Sequence, residues 1–222
     1  MSIQENLKNI KSSIPEHVTL VAVSKTKPVS DIMEAYHASQ RIFGENKIQE
    51  MAEKYEDMPK DIEWHMIGHV QRNKVKYMAS FVSLIHGVDN FKLLKEINKQ
   101  AKKHDRIIDC LLQIKIGSED SKFGMTPSEA SEIIHSKNFS ELKNIRITGV
   151  MGMATFTDNK VQIKQEFELL KSTFNILKPL NTANCNLQTI SMGMSGDYPL
   201  AIDCGSTMIR VGSSIFGSRN YN

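Results

Sequence analysis

Short apolar runs alternate with segments of helical period along the whole chain, and that alternation limits the fold more than any other feature of the sequence. The runs are Thr19 to Val23, Arg41 to Phe43 ending at Gly44, Ile62 to Ile67, Leu84 to Val88, Cys110 to Ile116, Ile145 to Met151, Leu187 to Ser191 and Met208 to Val211. Each has the length of a strand, and Thr19 to Val23 reads as one buried on both sides, as a parallel strand covered by helices is. Helices are expected from about Asp31 to Ser39 and from Asn46 to Tyr55. A stronger one follows from Ile163, Phe167, Leu170, Phe174 and Leu177, whose steps of four, three, four and three line one helical face. Thr126-Pro127-Ser128-Glu129 is a capping box with proline at the first helical position. Ile3, Leu7, Ile10 and Ile14 mark one further helix ahead of the first strand. Eight strands in register with their helices predict an α/β fold: a closed (β/α)8 TIM-type barrel with an extra N-terminal helix, as one domain over residues 1–222. The rival is an open doubly wound sheet, because alternation alone does not tell open from closed.

Composition excludes more than it selects. The 222 residues carry a formal net charge of +3 with both signs interspersed, so neither nucleic acid nor a charged membrane is called for. The densest basic cluster, Lys99, Lys102, Lys103, His104 and Arg106, falls at a helix end, where cations complement the dipole and a solvated surface is expected. Cys110, Cys185 and Cys204 are odd in number and lack redox or zinc spacing, which fits reduced thiols in a cytoplasm. The polar start argues against a signal peptide, and no segment approaches the roughly 18 uninterrupted apolar residues of a membrane span.

In a barrel the loops after the strands meet at one face, so the unusual residues should gather there. Lys25 follows the first run, Asn46 the second, and His65 and Gly68 close the third. Ser191-Met192-Gly193-Met194-Ser195-Gly196 follows the seventh, and Arg210-Val211-Gly212-Ser213-Ser214 spans the end of the eighth. Lys25 at an apolar strand tip is either solvated or held where its amine is partly dehydrated, loses its proton readily and attacks an aldehyde. The last two loops offer hydroxyls, backbone N–H groups and glycines for close approach, the makings of a phosphate cup at the usual barrel corner. Arg210 is either a buried structural arginine or a ligand contact whose guanidinium donates without giving up its proton. A Schiff-base lysine, a phosphate cup and a nearby arginine together describe a site for pyridoxal 5′-phosphate (PLP).

Five stretches carry a family resemblance: Ala22-Val23-Ser24-Lys25-Thr26-Lys27-Pro28, Phe43-Gly44-Glu45-Asn46, Trp64 to Lys74, Ser191 to Ser195 and Arg210 to Gly217. End to end, the chain resembles the pyridoxal phosphate homeostasis family of alanine-racemase-like barrels. The resemblance implies a fold-type III barrel that holds PLP as a covalent aldimine, with Lys25 as the aldimine lysine. It implies phosphate contacts from Ser195, Gly212 and Ser213, and places Arg210 opposite the pyridine nitrogen. A cationic donor there keeps the ring nitrogen unprotonated and weakens the electron sink, so fast transamination is not expected. Asn46 either bonds the ring substituents or caps its helix. Lys122 stands where racemase-like barrels carry an arginine near the phenolic oxygen, as a second aldehyde acceptor or a surface lysine. Lys27 either relays PLP or is solvated. His65 and His69 are four apart, but Gly68 and the strand context argue against a metal pair, and no metal is expected.

The role implied is PLP homeostasis by storage, buffering or delivery, with PLP and apo PLP-dependent enzymes as partners and without catalytic turnover. The alternative is a PLP-dependent racemase or decarboxylase. Racemases of this fold bring a second, mostly β domain and a partner subunit that supply an opposing tyrosine. After the last run and the Gly212 to Ile215 segment comes Phe216 to Asn222, and Tyr221 there is poorly placed to replace it. A monomer with an open site is therefore the expectation. A barrel for some other phosphorylated metabolite is the third reading.

Overall fold

The computed structural model describes residues 2–118 and 123–217. The apolar runs form parallel strands β1 (Thr19–Val23), β2 (Ile42–Glu45), β3 (Glu63–Met66), β4 (Leu84–Val88), β5 (Ile108–Gln113), β6 (Ile145–Met151), β7 (Cys185–Ser191) and β8 (Met208–Val211). They neighbour one another in chain order, and β1 pairs with β8, Val21 opposite Arg210, so the sheet closes on itself. That last pairing separates the barrel from the open sheet. Around it lie α1 (Ile3–Ser13), α2 (Val29–His37), α3 (Ile48–Asp57), α4 (Phe91–Lys103), α5 (Pro127–His135), α6 (Lys137–Ser140), α7 (Lys160–Leu177), α8 (Tyr198–Asp203) and α9 (Ser213–Phe216). A 3-10 helix, Arg72–Tyr77, follows β3.

Local signals explain the anchors. Ser2 and Glu5 form a capping box at α1, which buries Leu7 and Ile10 and reaches α9 through Asn6 Nδ2 donating to the Ile215 carbonyl at 2.9 Å. Thr126 and Glu129 cap α5 reciprocally, and all five apolar residues of the α7 stripe are buried. The main core lies between sheet and helices, with Trp64, Phe43 and Phe167 fully enclosed. A second cluster of Val21, Leu84, Leu111, Met151 and Met208, from β1, β4, β5, β6 and β8, fills the barrel interior, which in such folds is packed with side chains.

Several boundaries differ from the sequence reading for physical reasons. β2 runs through Gly44, where an added Cβ would lie 2.9 Å from Val21 Cγ1 and a larger residue would not fit. β5 stops at Gln113 because the chain beyond it pairs with the Met125 segment, the Lys115 N–H donating to the Met125 carbonyl at 3.0 Å. α3 begins at Ile48, and its N-cap is Lys47, so Asn46 does not cap it. Arg106 is not part of a solvated cluster: its guanidinium donates to the Ala79 and Val82 carbonyls at 2.7 and 2.8 Å and fixes the segment before β4. Cys110, Cys185 and Cys204 are free thiols, and burial pushes Cys185 up to about 11. Among the described residues no helix is long and apolar enough to cross a membrane.

Candidate functional site

A cavity of about 580 Å³ opens where the strands end, within the size range of small-molecule sites. Lys25, Asn46, Ser195, Arg210, Gly212 and Ser213, which arise beside or on β1, β2, β7 and β8, all line it. Val23, Ile67, Met153 and Phe123 supply apolar wall. Lys122 and Tyr221 lie outside the described residues.

The corner where a phosphate cup is expected is a pair of loops bonded to each other. Gly193 has φ +96° and lies against α8, where an added Cβ would be 2.7 Å from Ala201 Cβ. Its carbonyl accepts the Arg210 N–H at 2.9 Å. The Gly212 N–H donates to Ser195 Oγ at 3.2 Å, which leaves the Ser195 hydroxyl proton available to a ligand. Ser213 and Ser214 begin α9, so their N–H groups have no intrahelical acceptor. Hydroxyls and N–H groups therefore converge beside one another on the cavity wall.

Arg210 lines the cavity while its guanidinium is held from below. Nη1 donates to Ser191 Oγ at 2.6 Å and Nη2 to the Gly152 carbonyl at 3.1 Å. Ser191 Oγ in turn lies 3.0 Å from His86 Nδ1, and His86 Nε2 lies 3.1 Å from His65 Nδ1. All four residues are buried. Burial lowers His65 to about 3 and takes His86 well below its ordinary value, helped by His65 and Arg210, so both imidazoles are neutral. Burial also lowers Arg210, to about 10, and it remains a cation at neutral pH.

Lys25 is partly buried in the β1 loop and faces the same cavity. Asn46 places Oδ1 in a buried position without a hydrogen-bond partner, an acceptor that invites a donor from outside the chain. Lys27 also lines the cavity, but Nζ donates to the Phe216 carbonyl at 2.8 Å and so ties the β1 loop to α9 instead of standing in water. His65 and His69 diverge: His65 faces His86, whereas His69 stacks on Phe123 at 3.9 Å and pairs with Asp89 at 3.4 Å. Among the described residues no three histidine, cysteine or acidic side chains are grouped to hold a metal.

Sequence reasoning gave no role to His86, Glu45, Glu50 or Lys54. His86 and Glu45 could have been noticed as polar residues inside strands that are otherwise buried. Glu50 and Lys54 read only as an ordinary i, i+4 pair on a helix.

The chain matches the family model of the alanine racemase N-terminal domain over residues 1–220. It is 38% identical to the pyridoxal phosphate homeostasis protein of Pasteurella multocida (strain Pm70), covering 100% of both chains. PipY of Synechococcus elongatus PCC7942, solved with PLP bound, superposes with a TM-score of 0.87 at 33% identity, over 97% of this chain and 100% of PipY. Alanine racemase from E. faecalis shares the fold, with a TM-score of 0.75 at 15% identity, and the match covers 58% of the racemase chain. The motifs, the barrel and the full-length likeness agree, and the chain belongs to the pyridoxal phosphate homeostasis protein family.

Proposed function

We propose that this chain holds PLP in the strand-end cavity as a reversible imine on Lys25 and serves PLP homeostasis by storing, buffering or delivering it. The observation that carries the reading is the convergence of Lys25, Asn46, Ser195, Arg210, Gly212 and Ser213, from distant parts of the chain, on one cavity. Its donor set fits the cofactor: an amine for the aldehyde, hydroxyls and N–H groups for the phosphate, a guanidinium for the ring nitrogen, and the unpartnered Asn46 Oδ1 for a ring substituent. Family members bear the homeostasis name, and PipY was solved with PLP bound.

Bound PLP supplies an aldehyde for the amine and a ring that can accept electrons. The protein restrains the second property. Arg210 is anchored through Ser191 and Gly152, and a guanidinium donates a hydrogen bond without surrendering its proton. A ring nitrogen facing it stays unprotonated, which suits holding and release better than carbanion chemistry.

The test is to incubate PLP-loaded protein with an apo PLP-dependent enzyme and, separately, with a panel of L- and D-amino acids. Activation of the enzyme without consumption or racemisation of any amino acid is expected. Catalytic turnover of one amino acid would replace the carrier by a racemase or decarboxylase.

A further inference from the structure

Both neighbours of Lys25 are fastened to one ion triad, two of whose members are buried. Lys54 Nζ donates to Glu45 Oε1 and to Glu50 Oε1, each at 2.7 Å, and its third bond goes to the Ser24 carbonyl at 2.8 Å. An ammonium has three donors, and this one spends the third on the turn that carries Lys25. The Ser24 hydroxyl donates to Glu45 Oε1 at 2.7 Å. On the other side the Thr26 N–H donates to Glu50 Oε1 at 2.5 Å. Ser24 and Glu45 are fully buried, the Lys54 side chain is 8% exposed and that of Glu50 22%.

The turn needs such fastening. Thr26 has φ 63°, in the left-handed region that a β-branched residue seldom adopts and holds only when its surroundings over-determine it. Nor is the triad arranged for stability alone. Two carboxylates share one ammonium, and Glu45 Oε2 is buried without a partner, an arrangement that apolar packing of the same volume would match or better. What an apolar cluster lacks is a directed bond to Ser24 and to Thr26.

We propose that Glu45, Lys54 and Glu50 are positioning residues that hold the Ser24–Thr26 turn in its strained form and so aim the Lys25 amine into the cavity. The proposal rests on Lys25 being the residue that carries PLP. If the turn relaxes, only a fraction of molecules presents the amine correctly, and the apparent affinity for PLP falls by that fraction.

Glu50 gives the cleanest test, because it is the most exposed of the three and its loss leaves the buried Glu45–Lys54 pair in place. The full chain is compared with Glu50→Ala, Glu50→Gln, Thr26→Gly and the double variant Thr26→Gly with Glu50→Ala. PLP affinity is read by absorbance, imine trapping by borohydride reduction and peptide mapping, and folding by circular dichroism. Glu50→Ala should fold and yet bind PLP about tenfold more weakly, the scale of one lost hydrogen bond to a charged group. Glu50→Gln retains an acceptor for the Thr26 N–H and should recover most of that loss. Glycine at position 26 adopts the left-handed conformation freely, so Thr26→Gly should also recover part of it. PLP affinity unchanged in folded Glu50→Ala, or lost without recovery in either rescue variant, overturns the positioning role. Borohydride trapping of the parent protein at a lysine other than Lys25 overturns the underlying reading instead, and the two failures are told apart by that map.

Discussion

Arg210 and Ser191, on the adjacent strands β8 and β7, share a 2.6 Å hydrogen bond from Nη1 to Oγ beneath the cavity, and both are buried. Ser191 Oγ also faces His86 Nδ1 at 3.0 Å, so one hydroxyl joins the guanidinium to the histidine pair. Ser191→Ala leaves Nη1 and His86 Nδ1 without that partner, at a cost of about 1–3 kcal/mol for buried polar groups. Urea unfolding of PLP-free protein should show this as a lower midpoint with an unchanged slope. A midpoint equal to the parent's would mean that water or another group replaces Ser191 without loss.

The histidine pair makes the fold acid-sensitive. His65 titrates at about 3 in the native state against an ordinary value of 6.5, and His86 is lowered in the same sense. Below pH 6.5 the unfolded chain takes up protons that the native chain refuses, so stability is full above 6.5 and is lost as pH falls toward 3. The slope is about 1.4 kcal/mol per pH unit for each histidine. Glu45, which burial pushes up against the pull of Lys54, works the other way and offsets part of the loss. Unfolding at pH 5 should be accompanied by proton uptake, measured by calorimetry in buffers of different ionisation heat. His65→Asn should reduce that uptake, and equal uptake in both proteins would count against a neutral His65.

Gly193 and Gly196 lie in one loop but differ in what they tolerate. Gly193 has φ +96° and would press a Cβ against Ala201, whereas nothing stands within 4 Å of a Cβ at Gly196. Gly193→Ala should cost about 1–3 kcal/mol of stability, the range for backbone strain, and weaken PLP binding because its carbonyl registers the two loops through the Arg210 N–H. Gly196→Ala should be close to neutral in thermal unfolding. Equal behaviour of the two variants would mean that the turn at Gly193 is not strained by a side chain.

Much of this was legible in the chain because the signals were local. Strands β1, β4, β6 and β8 begin and end where their apolar runs do, and the α5 capping box and the α7 stripe need only neighbours in sequence. That Lys25, Ser195, Arg210, Gly212 and Ser213 gather on one cavity was legible because residues at or just before the strand ends of a barrel share one face, while their individual roles were implied only by the family resemblance. The support beneath them was not. Glu50 and Lys54 look like a solvated pair until the ends of β1 and β2 bring Ser24 and Glu45 to the same ammonium. His65, His86 and Ser191 come from three strands, and only the closed sheet makes them a chain. Asn46 illustrates the limit from the other side: its type left a helix cap and a contact to a ring substituent equally open, and the cap falls away because the helix starts later and leaves its Oδ1 turned to no partner.

Lys25 lines the same cavity as Ser195, Arg210, Gly212 and Ser213 and is the proposed point of PLP attachment. The most direct measurement is the absorbance spectrum of the PLP-treated parent and of Lys25→Ala, each desalted, with borohydride-trapped peptides mapped by mass. A visible-edge band is expected in the parent, with its loss in Lys25→Ala and a single trapped peptide that contains Lys25. An undiminished band in Lys25→Ala, or trapping at another lysine in the parent, would contradict attachment at Lys25.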